Sequence, residues 1–353
     1  MRIRRTFPLA LAVVIMAAAV ILAVELRKSA PPEPARLLPG ADAFVYVNLS
    51  WVRKLNPDRG LPTVFHDPEY ERFIQQTGFE FERDLESAAF AVHYPVTWPG
   101  GGTGSSAPEP RFSEVFVGKF NGAKLSAYLK QNAQSVENYH SVDIFTIPLE
   151  GRSFRVAILG VDTVACSNHD DAAVIRGIVD RSRRLASPFG GPALLRRYYK
   201  RVQFASPLWL VAHVEPSGPE FGGWNDVFSK PADVVISAGY NPLHLPLRSG
   251  PLHLRAEALT ADAADARSIA EKLNSYLMMF HSAEGSVGEP GTDADVKALF
   301  DSVQVRHEGS RALLNASVPA GFLKKILAES PSPVEAATPS SPAPKTPAPK
   351  GSR

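Results

Sequence analysis

The chain has 353 residues, of which 44% are hydrophobic and 21% are charged, and its formal net charge is +2. This length corresponds to roughly two domains of about 150 residues, and the composition is typical of a chain that buries a core. The small net charge argues against a dedicated nucleic-acid binder, so we predict no nucleic-acid partner. The single cysteine, Cys166, excludes an intramolecular disulfide and any metal site built from several cysteines.

An uncharged apolar run covers residues 7–24 and follows Arg2, Arg4 and Arg5. As a helix the run is about 27 Å long, close to the hydrocarbon thickness of a bilayer, whereas the apolar part of a signal peptide usually has about 7–15 residues. No small-x-small cleavage site follows it. The run therefore favours a retained anchor over a cleaved signal peptide, and the arginines before it place the N-terminus in the cytoplasm. We predict a single-pass protein of the bacterial inner membrane with its body in the periplasm.

Proline-rich segments flank the predicted body. Residues 1–28 form the cytoplasmic stub and the anchor, and residues 29–40, which contain four prolines, are predicted to be a stiff spacer. Residues 329–353 are rich in Pro, Ala, Ser and Thr and have no aromatic residue, which predicts a disordered tail. Between these segments we expect a first α+β unit over residues 41–190 and a second over residues 191–328.

Hydrophobic periodicity along the body alternates between about 2 and about 3.6 residues. In the first unit it predicts strand 43–49, helix 67–77, strands 87–94 and 113–120, helix 123–134, strands 142–148 and 154–159, a short strand near residue 164, and helix 172–184. Residues 95–110 form a predicted loop that is rich in Gly, Ser and Pro. In the second unit it predicts helix 192–202, strands 208–214, 234–240 and 252–260, helices 263–281 and 293–301, strands 303–307 and 312–318, and helix 320–327.

Residues 113–184 and 252–327 share one order of predicted elements, namely strand, helix, strand, turn, strand and helix. The matching turns contain Glu150-Gly151 in the first segment and Glu308-Gly309 in the second. This order predicts an α+β fold in which a single N-terminal transmembrane helix precedes two similar antiparallel sheet-plus-helix units of the ferredoxin-like type. We expect the helices of each unit to pack on one face of its sheet.

The start of the body, Leu38-Pro39-Gly40-Ala41-Asp42 with the strand that follows, resembles a group of uncharacterised membrane-anchored bacterial proteins. Those proteins open with Leu-Pro, Ala-Asp and a hydrophobic strand just after the anchor. Residues 303–327 are similar to their late signature of a strand, a Gly turn, a strand and a Val-Pro before the closing helix. The resemblance covers about forty residues. It implies an extracytoplasmic location, and it brings no activity and no catalytic residue.

Signatures of known catalytic chemistry are missing from the sequence. It contains no P-loop, no Gly-x-Ser-x-Gly and no His-Glu-x-x-His. Residues 102–107 match a Gly-x-Gly-x-x-Ala string, but Pro108 and Pro110 stand where the phosphate-binding helix has to begin. We therefore predict no catalytic residue, no cofactor and no metal, and we interpret this segment as part of a loop.

Two further positions have a chemical and a structural interpretation. The cluster His169-Asp170-Asp171 offers ligands for a metal ion or a general base. It lies just before helix 172–184, however, where Asn and Asp side chains cap a helix. We predict capping. Cys166 lies in a predicted strand, so we predict a buried and unreactive thiol.

Charge gives the best candidate for a binding site. Between Arg181 and Val214 the sequence has seven basic residues and no acidic residue. On the predicted helix 192–202 the apolar residues share one face, and the opposite face carries Arg196, Arg197, Lys200 and Arg201. The simplest interpretation is a solvated helix face. The functional interpretation is a docking surface for an anionic partner, such as a lipid headgroup, an envelope polymer or an acidic protein.

The sequence thus predicts a membrane-anchored extracytoplasmic protein that binds or scaffolds and is not an enzyme. Two alternatives stay open. An envelope hydrolase requires a deep pocket with at least two titratable side chains whose pKa values are shifted. An accessory subunit of an export or assembly machine has no signature of its own in the sequence.

Overall fold

The computed structural model describes residues 30–55, 66–94, 110–149, 151–183, 191–216, 226–239, 251–286 and 294–328. The predicted anchor at residues 7–24, most of the predicted loop 95–110 and the predicted tail 329–353 lie outside these ranges. Within these ranges, the helices are too short or too polar to cross a membrane.

Most of the helices fall close to the positions that the periodicity predicts. Their bounds are α1 Glu33–Leu37, α2 Leu49–Leu55, α3 Pro68–Thr77, α4 Phe81–Asp84, α5 Gly122–Asn132, α6 Ala173–Ser182, α7 Ala193–Tyr198, a 3₁₀ turn at Tyr199–Arg201, α8 Ala263–Ser286, α9 Ala294–Asp301 and α10 Ala320–Ala328. Helices α1, α2 and α4 are additional to the predicted ones. The start of α3 follows the sequence rule for a helix N-terminus, since Asp67 accepts hydrogen bonds from the backbone amides of Glu69 and Tyr70.

The described strands form one twelve-stranded sheet in the order β11-β12-β10-β9-β8-β1-β2-β3-β7-β6-β5-β4, and each neighbouring pair is antiparallel. Their bounds are β1 Ala43–Asn48, β2 Leu85–His93, β3 Arg111–Gly118, β4 Ser135–Tyr139, β5 Val142–Leu149, β6 Arg152–Ile158, β7 Thr163–Ser167, β8 Leu208–Val214, β9 Ala232–Gly239, β10 Leu252–Leu259, β11 Gln304–Glu308 and β12 Arg311–Val318. The predicted mixed α+β class with an antiparallel sheet is confirmed.

The strand order runs outward from the central pair β1–β8 in a similar way on both sides. On each side three consecutive strands form a meander, a helix follows the third strand, and the last strand returns to pair with the third. In the second half, β12 lies between β10 and β11, which makes a split β-α-β arrangement. The predicted turns recur in both halves, because Gly151 and Gly309 both adopt positive φ angles between hairpin strands.

Helices cover both faces of the sheet, which corrects the expectation of helices on one face. One face buries Phe44, Val115 and Trp209 together with residues of α1, α6 and α7. The opposite face packs against α5 around Phe145 and Cys166 in one half, and against α8 in the other half. Both faces are covered because strands such as β7 are apolar on both sides.

The segment predicted to be a spacer is partly built into the body. Residues 33–37 form α1, and Ala35, Leu37 and Leu38 are buried in the core with α6 and α7. The proline content conceals this, because proline is well tolerated in the first turn of a helix. The elements α2, α4 and β4 are also absent from the predicted elements.

Candidate anion-binding site

The predicted basic helix consists of the short helix α7 and the 3₁₀ turn that continues it. Leu195 and Tyr198 are buried in the core, and the ring of Tyr199 lies edge-on against Trp209 of β8 with ring centroids 5.3 Å apart. Residues of the predicted apolar face are therefore buried, as expected. Leu195, Tyr198 and Tyr199 hold the segment against the sheet. The basic side chains of the segment therefore lie beside this packed side and not within it.

A cleft of about 610 Å³ opens between this segment and the strands of the second half. Its volume lies within the range of about 300–1,000 Å³ that is usual for ligand sites. It is lined by Arg197, Tyr198, Lys200, Arg201, His213, Pro231, Ala232, Asp233, Leu259, Thr260, Ala261, Ser310 and Arg311. Three of the four basic residues singled out by the sequence therefore line one concavity, and Arg311 joins them from β12.

Arg196 does not line this cleft. It is exposed on α7, next to Arg197, and is thus the one member of the predicted quartet that the structure separates from the others. The change from an α-helix to a 3₁₀ turn at Tyr199 alters the spacing from about 3.6 to about 3.0 residues per turn. For this reason a helical wheel drawn over the whole segment groups side chains that point in different directions.

Arg201 is held by a buried carboxylate. Its guanidinium donates to Glu257 of β10 at 3.0 Å, and Arg255 contacts the same carboxylate. The side chain of Glu257 is only 2% exposed, and its neighbours on adjacent strands are the apolar residues Val235 and Leu313. Two arginines therefore contact one carboxylate, and of the two Arg201 lines this cleft whereas Arg255 lines a second, smaller cleft.

Among the basic residues that line the cleft, Arg197 and Lys200 have the fewest contacts with acidic groups. Within the described ranges neither forms an ion pair, and Arg197 lies over the ring of Tyr198 at 5.1 Å. Both are exposed at the mouth of the cleft. On the other side of the cleft Arg311 binds Glu308 at 3.1 Å, and Arg306 contacts the same glutamate. The cleft thus presents unpaired positive charge to an incoming anion.

Four polar residues form a chain of contacts at the cleft, and three of them, Tyr198, His213 and Asp233, line it. Asp233 accepts a hydrogen bond from the hydroxyl of Tyr198 and contacts Nδ1 of His213 at 2.8 Å, while Nε2 of His213 lies 3.1 Å from Glu215. Burial opposes charge on His213, but the contacts with Asp233 and Glu215 outweigh it and raise its pKa. Burial, followed by the bond to Asp233, raises the pKa of Tyr198 to about 12.

The cleft contains two titratable side chains with raised pKa values, His213 and Tyr198, which is the feature that the hydrolase alternative requires. Both ring nitrogens of His213 contact carboxylates, however, so neither is placed to accept a proton from Ser310 or Thr260. The cleft is suited to holding an anion with arginine and lysine side chains.

A second histidine site lies at the ends of β2, β3 and β7. Nε2 of His93 lies 3.0 Å from the hydroxyl of Ser113, which in turn lies 3.0 Å from the hydroxyl of Ser167. The ring of His93 packs edge-on against His169 at 5.2 Å. The contact of a serine with a histidine is the first requirement for a nucleophile, but Ser113 is completely buried and borders neither of the two clefts described for this fold.

Acid is expected to destabilise the protein through His93. Burial, together with the charge of His169, lowers the pKa of His93 to about 4, although Asp42 and the carbonyl of Gly40 oppose this shift. The unfolded chain therefore takes up a proton near pH 6.5 that the folded chain does not, and stability falls by about 2–3 kcal/mol between pH 6.5 and 4.

Urea unfolding at several pH values measures this loss. We expect the slope between pH 6.5 and 4 to be much shallower for His93→Gln than for the wild type. His140→Gln is the control, because His140 is half-exposed and its replacement is expected to leave the slope unchanged. Equal slopes for the wild type and His93→Gln would contradict the assignment.

The cluster before α6 lies next to the N-cap position of the helix, which is Ala172. Asp171 accepts a hydrogen bond from the amide of Ala173 at 2.8 Å. Asn168 instead binds the amide of Phe112, and Asp170 pairs with Arg111, so these two residues fasten the loop to β3. Ala172 makes no side-chain cap, so the predicted capping is wrong; Asp171 binds the amide of the first helical residue, and the cluster joins β3 to the start of α6.

Cys166 lies in β7 and is buried. Burial, with a contribution from nearby Glu114, raises the pKa of its thiol well above the ordinary value. A buried thiol with a raised pKa is poorly reactive, as predicted.

The chain matches no family model and no curated protein. Among solved structures it is similar to crystal form III of the protein TP0453, with a TM-score of 0.43 and 8% identity over 84% of this chain and 98% of that chain. Crystal form I of TP0453 gives a TM-score of 0.39 and 10% identity over 85% of this chain and 100% of that chain.

Proposed function

We propose that this protein is a membrane-anchored, extracytoplasmic binding protein whose cleft binds an anionic group of an envelope component. The main support for this proposal is that Arg197, Lys200, Arg201 and Arg311 line one cleft. Arg197 and Lys200 form no ion pair in the described part of the chain. Arginine and lysine at one concavity suit phosphate or carboxylate groups, and Arg201 is already oriented by Glu257.

The shape of the site favours a compact anionic group over the broad face of an acidic protein. A cleft of about 610 Å³ is of the size that encloses a small ligand or one segment of a polymer, whereas protein interfaces are usually flatter and larger. A phosphate-bearing headgroup or polymer segment is therefore the preferred ligand class. The membrane anchor and the periplasmic location, which come from residues 1–28, belong to this proposal.

The proposal extends to the architecture. The body consists of two related α+β units over residues 41–190 and 191–328, joined through the central pair β1–β8. The split β-α-β arrangement of β10, α8, β11 and β12 supports a ferredoxin-like origin for the second unit, and the first unit resembles it with one additional hairpin. The cleft then belongs to the second unit, between its first helical segment and its sheet.

Binding of inorganic triphosphate to the full-length chain in a neutral detergent tests the function by isothermal titration. We expect one site in the wild type and at least a tenfold loss of affinity in Arg197→Glu/Lys200→Glu, because both substitutions reverse charge in the cleft. The matched control is Arg196→Glu/Lys130→Glu, which changes net charge equally at exposed positions outside the cleft.

The control decides between a site and general electrostatics. Equal weakening by both double substitutions would show that net charge alone attracts the probe, and would contradict the proposal. Vesicles with and without phosphatidylglycerol then identify the source of the phosphate, since competition with triphosphate by the anionic vesicles alone indicates a lipid headgroup.

A further inference from the structure

A cluster of potential metal ligands lies on the other half of the molecule, at the corner between α3 and α4. His66 stands just before the N-cap of α3, and Glu71 lies in the first turn of that helix. Glu80 and Glu82 come from the start of α4. One ligand atom from each of His66, Glu80 and Glu82 lies within 4.8 Å of the others.

Glu71 orients the imidazole of His66. Its Oε1 atom lies 2.6 Å from Nδ1, so Nδ1 donates a hydrogen bond to the carboxylate. Nε2 lies on the opposite side of the ring and faces Glu82, and a metal ion bound there displaces any proton on Nε2. A carboxylate that holds one ring nitrogen while the other faces a metal is the usual outer-shell arrangement of metal-binding histidines.

Glu82 is placed in a similar way. The hydroxyl of Tyr70 donates to Oε2 of Glu82 at 2.8 Å, and the side chain of Glu82 is only 9% exposed. Its other oxygen, Oε1, lies 3.3 Å from Nε2 of His66. Two ligands of a tetrahedral zinc ion at about 2.0–2.1 Å are separated by roughly 3.3 Å, so these two atoms already have the required spacing.

The charge of the cluster also favours a cation. Glu71, Glu80 and Glu82 converge on a single imidazole. Arg83 binds Glu80 at 2.8 Å but also binds Asp84, so one guanidinium is shared between two carboxylates. A divalent cation at the three ligand atoms is attracted by the carboxylates of Glu80 and Glu82.

We propose that His66, Glu80 and Glu82 bind a divalent transition metal of the Zn²⁺ type, with water as the fourth ligand. Nitrogen and oxygen ligands in this number suit zinc. Glu71 and Tyr70 are positioning residues that fix the two inner ligands. The ion ties the residue before α3 to α4. The sequence predicts no metal here because the ligands lie up to sixteen positions apart in no recognised spacing.

Competition with a chromophoric chelator tests the site, with Zn²⁺ added to the tag-free, metal-stripped full-length chain. We expect one zinc per chain in the wild type and at least a hundredfold loss of affinity in His66→Ala and in Glu82→Gln. Glu71→Gln is expected to weaken binding by about 10–100-fold, as is usual for an outer-shell residue. His140→Ala is the matched control, since His140 also lies near a carboxylate at the surface and its replacement leaves binding unchanged.

Zinc-edge X-ray absorption supplies the second measurement. The proposal requires a shell of nitrogen and oxygen atoms that includes one imidazole, and His66→Ala abolishes the imidazole signal. Circular dichroism shows whether each variant folds, and if His66→Ala does not, Glu82→Gln decides. Zinc affinity that is equal in the wild type and in folded Glu82→Gln overturns the proposal, as does a shell without imidazole.

Discussion

Replacement of Trp209 by alanine is expected to lower the free energy of unfolding by about 3–5 kcal/mol, because it empties a large volume at the centre of the sheet. Trp209 is 1% exposed, and its ring stacks on Tyr46 at 5.6 Å and meets Tyr199 at 5.3 Å. These contacts join β8 to β1 and support the 3₁₀ turn. Urea unfolding, followed by far-UV circular dichroism, measures the change.

Two controls separate packing from other effects. The indole nitrogen of Trp209 is buried without a hydrogen-bond partner within the described ranges, so Trp209→Phe removes an unsatisfied donor and is expected to cost less than about 1.5 kcal/mol. Leu208→Ala changes the preceding residue, which is 45% exposed, and is expected to cost about 0.5 kcal/mol or less. A loss as large for Leu208→Ala as for Trp209→Ala would contradict this account.

The same substitution connects the core to the cleft. Tyr199 rests on Trp209 and directly precedes Lys200 and Arg201, which line the cleft. Loss of this support frees the 3₁₀ turn to move, and the cations then lose their fixed separation. We therefore expect Trp209→Ala to weaken triphosphate binding as well, even under conditions in which the protein remains folded.

Much of the secondary structure follows from periodicity because local patterns determine it. Strand 208–214 matches β8 at both ends, and the helix predicted after Asp67 matches α3. The prediction failed at residues 29–40, where composition indicates a spacer but Ala35 and Leu38 are buried. Composition describes the average behaviour of a segment, and it does not show whether a few apolar residues find a groove in the folded body.

The sequence predicts only the part of the candidate site that lies on a single helix. The charge pattern identifies Arg197, Lys200 and Arg201, but Arg311 reaches the cleft through the pairing of β12 with β10. The sequence also does not predict the contact between Arg201 and Glu257, because the two residues are 56 positions apart. Such contacts depend on strand order and register, which local sequence patterns do not determine.

A second large loss of stability is expected when both arginines that contact Glu257 are replaced together. In Arg201→Ala/Arg255→Ala the carboxylate remains buried between Val235 and Leu313 without a cation, and we expect a loss of about 3–5 kcal/mol. Each single substitution is expected to cost much less than half of this, because the other arginine still contacts the carboxylate. Urea unfolding of the two single variants and the double variant gives this coupling.

Replacement of the whole charged group separates stability from binding. Glu257→Leu/Arg201→Met/Arg255→Met places apolar side chains among apolar neighbours, so we expect it to recover most of the stability lost in the double variant. Triphosphate binding is not expected to recover, because Arg201 is a cation of the cleft. A triple variant that regains both stability and affinity would show that this buried group supports the fold alone and that the anion is held elsewhere.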